Sequence, residues 1–198
     1  MRHYILYRTT LQIFFAIVLI LMMFSCNNSK KEEVQQPSVT EQNETKIDDT
    51  SKETDAQFLV KATEISLEEI KLGKLAQQIG STKTVRDLGK MMETEHAKSL
   101  AEVTELAKTK MVTIPTAPPF DAEDAYNKLS AKSSVDFDKA YSDMMVNGHQ
   151  ETILLFEKTC NESQDTDIRE WATKMLPALK MHLAQAQVAQ KESDKNYR

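Results

Sequence analysis

The chain has 198 residues, of which 28% are charged, with a formal net charge of −5 and a pI near 5.5. An acid surplus with no basic run excludes a nucleic-acid-binding surface, and two cysteines are too few for a disulfide framework. The length suits one domain with a single core.

Arg2 and Arg8 form a positive n-region, followed by an unbroken apolar run from Ile13 to Phe24. That run is shorter than the roughly 20 residues a spanning helix needs. It has the layout of a signal-peptide core, and residues 1–25 are read as one. The run ends in "MFSC", which resembles the lipobox of bacterial lipoproteins, in which the cysteine is lipidated. Cys26 is therefore the expected lipidation site and the membrane the expected partner, held by several acyl chains at about 0.8 kcal/mol per buried CH₂. An ordinary secretory signal with an incidental cysteine is the alternative. Asn27 stands where inner-membrane retention would use an aspartate, which favours an outer-membrane lipoprotein facing the periplasm or the cell surface. "CNNSKKEE" also resembles a surface-export signal. Residues 26–54 are polar, mixed in charge and almost without apolar residues, so they read as a disordered, lipid-anchored tether.

From 55 to 190 the apolar residues follow a helical period, with no sustained alternation that would argue for strands. A first helix opens on a possible capping box, Thr54-x-x-Gln57, and stops at Gly80. Its inward seam is Phe58, Ala62, Ile65, Glu69, Leu72, Ala76 and Ile79. A second runs from about Ser81–Thr84 to Thr109, with Val85, Gly89, Met92, His96, Ser99, Val103 and Leu106 inward. The short connection makes these two antiparallel neighbours.

The next stretch, "KMVTIPTAPPFDAEDAYNKLS", carries three prolines and, in "DAEDAYNKL", material for a short helix. So long a connection fits a crossover that travels the length of a bundle, as in ferritin-like folds. A third long helix then spans about Ser134–Cys160, with Phe137, Tyr141, Met144, Met145, Gly148, Ile153 and Phe156 inward. A fourth spans about Asp165–Gln190, with Ile168, Ala172, Met175, Leu179, His182, Ala186 and Ala189 inward and Pro177 inside it as an expected kink. A charged tail, 191–198, completes an all-α reading: a ferritin-like four-helix bundle with a long Pro-rich crossover.

Four polar residues interrupt these seams. Glu69, His96, His149 and His182 each lie near the middle of a different helix, so a bundle of similar helices puts them in one layer. One reading has them hydrogen-bonded to one another, fixing register. Another makes them ligands of a single divalent transition metal, since imidazole and carboxylate suit Zn, Fe, Cu or Ni. A third leaves some of them exposed as a proton-responsive layer. A di-iron site is disfavoured. Glu93-x-x-His96 supplies one Glu-x-x-His pair, but the matching position before His182 is Leu179. Cys160 reads as a small buried residue, and no phosphate loop, nucleophile elbow or metalloprotease motif occurs.

"DAQFLVKATEISLEEIKLGKLA", "VRDLGKMMETEHAKSLAEVTELA", "FDKAYSDMMVNGHQETILLFEKTC" and "IREWATKMLPALKMHLAQA" occur in this order. Together they resemble the bacterial family catalogued as domain of unknown function 4142. The resemblance implies a ferritin-like fold and export; the family has no established biochemical activity, so it supplies no mechanism. The combined expectation is a non-enzymatic cell-envelope lipoprotein with a binding or structural role. The alternative is a metal-binding envelope protein connected with oxidant or metal stress.

Overall fold

In a computed structural model, residues 38–44 and 50–196 are described. The expected signal segment, Cys26 and most of the expected tether lie outside the described residues. The described chain is all-helical: α1 (Val39–Glu44), α2 (Thr50–Ile79), α3 (Lys83–Thr109), α4 (Phe120–Ser130), α5 (Ser134–Glu162) and α6 (Thr166–Asn196).

Local chemistry sets the ends. Thr82 accepts from the Val85 amide at 3.3 Å and Ser133 from the Asp136 amide at 3.4 Å, which caps α3 and α5. Asp165 accepts from the Asp167 and Ile168 amides at 3.0 and 3.2 Å, doing the same for α6. Each hairpin turn is closed by an arginine six residues on. Arg86 donates to the Gly80 and Ser81 carbonyls at 2.8 and 2.7 Å, and Arg169 to the Ser163 carbonyl at 2.8 Å.

Three element ends differ from the expectation. The first long helix begins at Thr50, so Thr54 is interior, its hydroxyl donating to the Thr50 carbonyl at 3.0 Å rather than capping. Within the expected tether, α1 forms on a reciprocal capping box: the Ser38 amide donates to Glu41 at 2.7 Å and the Glu41 amide to the Ser38 hydroxyl at 3.2 Å. Asn43 then fastens it through two 2.9 Å bonds to the Thr113 backbone, a partner 70 residues away that composition cannot reveal. At the other end α6 continues to Asn196 through most of the expected charged tail, with Ser193 buried and Asp194 paired to Lys139 at 2.9 Å. Pro177 lies inside α6, which is continuous through it.

Two apolar clusters give the helix directions. The upper one gathers Leu72 and Ala76 of α2, Val85 and Met92 of α3, Phe137 and Met145 of α5, and Ala186 and Ala189 of α6. The lower one gathers Phe58 and Ala62, Val103 and Ala107, Ile153 and Phe156, and Ile168 and Leu179 from the same four helices. Along the chain α2 and α6 pass from lower to upper, while α3 and α5 pass from upper to lower. The α2–α3 and α5–α6 hairpins are therefore antiparallel, and the segment 110–133 carries the chain back up. Its helix α4 is part of the packing rather than a loose outer strap, because Ala122 and Leu129 are fully buried.

Two contacts lock these helices together. A Cβ at Gly73 would lie 2.6 Å from the Gly89 carbonyl oxygen, and one at Gly89 would lie 2.7 Å from the Gly73 carbonyl oxygen. The α2 and α3 backbones touch there. Asp138 of α5, 1% exposed, accepts from the Ser81 amide, the Ser81 hydroxyl and the Thr82 amide at 2.8, 2.6 and 2.8 Å, so a buried carboxylate caps the start of α3. Gly73→Ala should lower stability by about 1–3 kcal/mol through overpacking. Gly148→Ala should raise it by about 0.5–1 kcal/mol, because a Cβ there meets only a Glu69 oxygen at 3.9 Å. Urea unfolding checks both, and equal effects would contradict the packing assigned to the Gly73–Gly89 contact.

Candidate metal centre

Between the two apolar clusters lies a polar layer. His96 follows Met92 by four residues on α3, His149 follows Met145 on α5, and His182 precedes Ala186 on α6, so the helical period that buries the neighbours buries the imidazoles. They are 3%, 1% and 2% exposed. Their ring centroids form a nearly equilateral triangle with sides of 5.8, 5.5 and 5.4 Å. One ring nitrogen from each lies within 4.8 Å of the other two. Nitrogens on a shared tetrahedral ion, bound at about 2.0–2.1 Å, stand about 3.3 Å apart. The rings would have to turn inward from the present spacing of up to 4.8 Å to close on one.

The protons can be placed in part. The His149 Nδ1 lies 2.9 Å from the Met145 carbonyl oxygen. A carbonyl only accepts, so Nδ1 carries the hydrogen and the neutral ring presents a lone pair at Nε2. That Nε2, and both ring nitrogens of His96 and His182, have no hydrogen-bond partner in the protein. Burial pushes all three imidazoles below their ordinary pKa: His96 far below, with His149 and His182 adding to the effect, His149 below, and His182 down to about 4. At neutral pH the layer is three uncharged imidazoles, the state in which histidine binds metals.

Glu69 meets the layer at its edge. It is 6% exposed, and its Oε1 lies 3.9 Å from His149 Nδ1, too far for a hydrogen bond, while Oε2 has no partner. The structure thus brings the three expected histidines together and leaves Glu69 outside their cluster, behind the His149 ring. Burial, reinforced by the Glu68 charge, raises the Glu69 pKa to about 8. Tyr141 is a neighbour that the seam pattern assigned only to the core. Its hydroxyl is buried without a partner, and burial followed by the Glu69 charge raises its pKa well above 10.0. The unused carboxylate of the Glu-x-x-His pair, Glu93, is held away from the layer by Gln77 at 2.7 Å. Cys160 is half-buried, not buried, and accepts from the Thr173 hydroxyl at 3.3 Å.

The described chain is an all-helical protein built round a buried tri-imidazole cluster. The family described as Domain of unknown function (DUF4142) matches residues 40–188, more than half of the chain, and the protein belongs to that family. No curated protein and no solved structure matches it.

The two kinds of buried group make opposite demands on pH in the metal-free protein. Glu69 ionises near pH 8 when folded and near 4.5 when unfolded, so its contribution to stability is full below pH 4.5 and is lost as pH rises through 8. His182, protonating near pH 4 folded and 6.5 unfolded, contributes fully above pH 6.5 and loses that contribution as pH falls through 4. Glu69→Gln should therefore gain on the wild type between pH 5 and pH 8, by on the order of 3 kcal/mol. Urea unfolding with chelator at both pH values reads the gain. The same stability difference at both would contradict the buried, protonated Glu69.

Proposed function

We propose that this protein binds one divalent transition metal ion at His96, His149 and His182. The observation that carries this reading is the five buried ring nitrogens with no protein partner. A layer that only fixed register would pair its imidazoles by hydrogen bonds. Here each unpaired buried group costs about 1–3 kcal/mol, and a shared ion is the partner that satisfies one nitrogen from every ring at once. Neutral imidazoles suit Zn, Cu, Ni and Fe. Glu69, 3.9 Å from His149, offers charge balance behind the ligands once a bound cation draws off its proton.

The same proposal extends to architecture and address. Two antiparallel hairpins joined by a long return segment support a ferritin-like four-helix arrangement, with the crossover helix packed on its side. The sequence ahead of the bundle supports an envelope lipoprotein held in the outer membrane by acyl chains on Cys26, followed by a polar tether. Among the described residues no helix is long and apolar enough to cross a membrane.

Calorimetric titration of the metal-stripped full chain with Zn²⁺, Cu²⁺ and Fe²⁺ should give one-to-one binding of at least one ion. The His96→Ala, His182→Ala double variant should weaken it by more than about 100-fold, beyond what outer-sphere partners contribute. Equal weak binding in both proteins would remove the metal reading. Cys26→Ser should move the protein from the membrane fraction to the soluble fraction. A soluble, acyl-free wild type would remove the lipoprotein reading.

A further inference from the structure

The seam between α2 and α5 is covered unevenly. At its upper end α4 lies against it: Leu129 packs into the upper cluster, and Lys71 of α2 pairs with Glu123 and sits 4.7 Å from the centre of the Tyr126 ring. Below α4 the seam holds two depressions. At the level of the imidazoles it forms a depression of about 320 Å³, bounded in part by Glu68 and Glu69 of α2 and Met145, Gly148 and Glu151 of α5. A second depression of about 230 Å³ continues it toward the lower end, sharing Lys61 and Leu155 with the first.

Three observations connect this groove with the metal centre. Glu69 lines the depression, yet it is 6% exposed, has an unpartnered Oε2, and lies 3.9 Å from His149. A single buried carboxylate therefore lies between the groove and the His149 ring. Gly148 is a helix-interior glycine that no neighbour requires, since a Cβ there would meet only Glu69 Oε1 at 3.9 Å. Its missing side chain keeps the space in front of that carboxylate clear, although glycine costs a helix interior about 0.5–1 kcal/mol relative to alanine. On the other flank of α2, the Gly73–Gly89 contact brings α2 and α3 into backbone contact and shuts that side.

The geometry points to the α2–α5 groove as the loading port of the tri-imidazole site, through which a hydrated divalent cation passes from Glu68 and Glu151 at the rim to Glu69 and then to the histidines. This rests on the metal-binding reading. The rim carboxylates raise the local cation concentration and the rate of capture. The cation on the same wall, Lys61, is paired with Glu64 at 3.4 Å. Glu69 gives up its proton to water in the groove as one of its oxygens replaces a water on the incoming ion; one imidazole lone pair from each ring then displaces a further water, and the carboxyl group is released. Glu69 acts here as a positioning residue, turning between groove and layer.

Stopped-flow mixing of the metal-stripped full chain, in detergent, with Co²⁺ reads association, and a chelator challenge reads release. In the Glu68→Gln, Glu151→Gln double variant, association should slow about tenfold at low salt and approach the wild-type rate at high salt. In Gly148→Val, whose side chain stands in the path, association and release should both slow by about tenfold or more, with Kd within about twofold of wild type. Wild-type association in both variants, or an altered Kd with unaltered association, overturns the port while leaving the metal site in place. Failure of the wild type to bind Co²⁺, Zn²⁺, Cu²⁺ or Fe²⁺ overturns the metal site and the port with it. Should Gly148→Val not fold, the rim variant decides alone, because its side chains lie at the mouth of the groove.

Discussion

Three neutral imidazoles and a protonated carboxylate, buried between two apolar clusters, are the constraint on which the rest of this structure depends. Each long helix contributes to both clusters and crosses the layer once, so no helix can slide along its axis without moving its polar residue into an apolar cluster. The desolvation that depresses the histidine pKa values and raises that of Glu69 also holds the rings uncharged and close together. One physical cause thus gives the layer both its cost to folding and its capacity to bind a cation.

The packing that keeps the layer dry is asymmetric. At Gly73 and Gly89 two helices meet backbone to backbone, and at Asp138 a buried carboxylate ties α5 to the turn between α2 and α3. The α2–α5 seam below α4 is joined by Phe58 and Phe156, whose rings meet edge-on 5.0 Å apart, and by the hydrogen bond between the Asp55 and Ser163 side chains, with depressions between them. The α2–α3 hairpin thus faces the α5–α6 hairpin across a seam that contains two depressions.

Much of this was legible in the sequence for a simple reason. The period of the α-helix is fixed, so positions such as Leu72, Met92, Tyr141 and Leu179 could be assigned inward without coordinates. The same count put His96, His149 and His182 on those inward seams, and mid-helix placement put them at one level. The starts of α3 and α5 were placed to within a few residues, while the caps themselves, Thr82 and Ser133, were not named and the proposed cap at Thr54 proved interior. Less legible were α1, which depends on Asn43 bonding to Thr113, and the last turns of α6, where Ser193 is buried and Asp194 meets Lys139. Those contacts span 50 residues or more, and a polar composition gives no sign of them.

By itself the sequence determined an all-helical chain, the family to which it belongs, and the identity of the side chains that enter the core. Periodicity and local hydrogen bonding act within a few residues, so one strand of text contains them. Only the tertiary structure decided that the three imidazoles converge within 4.8 Å while Glu69 stands behind one of them, and that the seam in front of Glu69 holds a depression. Those outcomes depend on how far apart four helix axes lie and how each is turned. That is set by close contacts such as Gly73 against Gly89, where the missing side chains matter only because of what lies opposite.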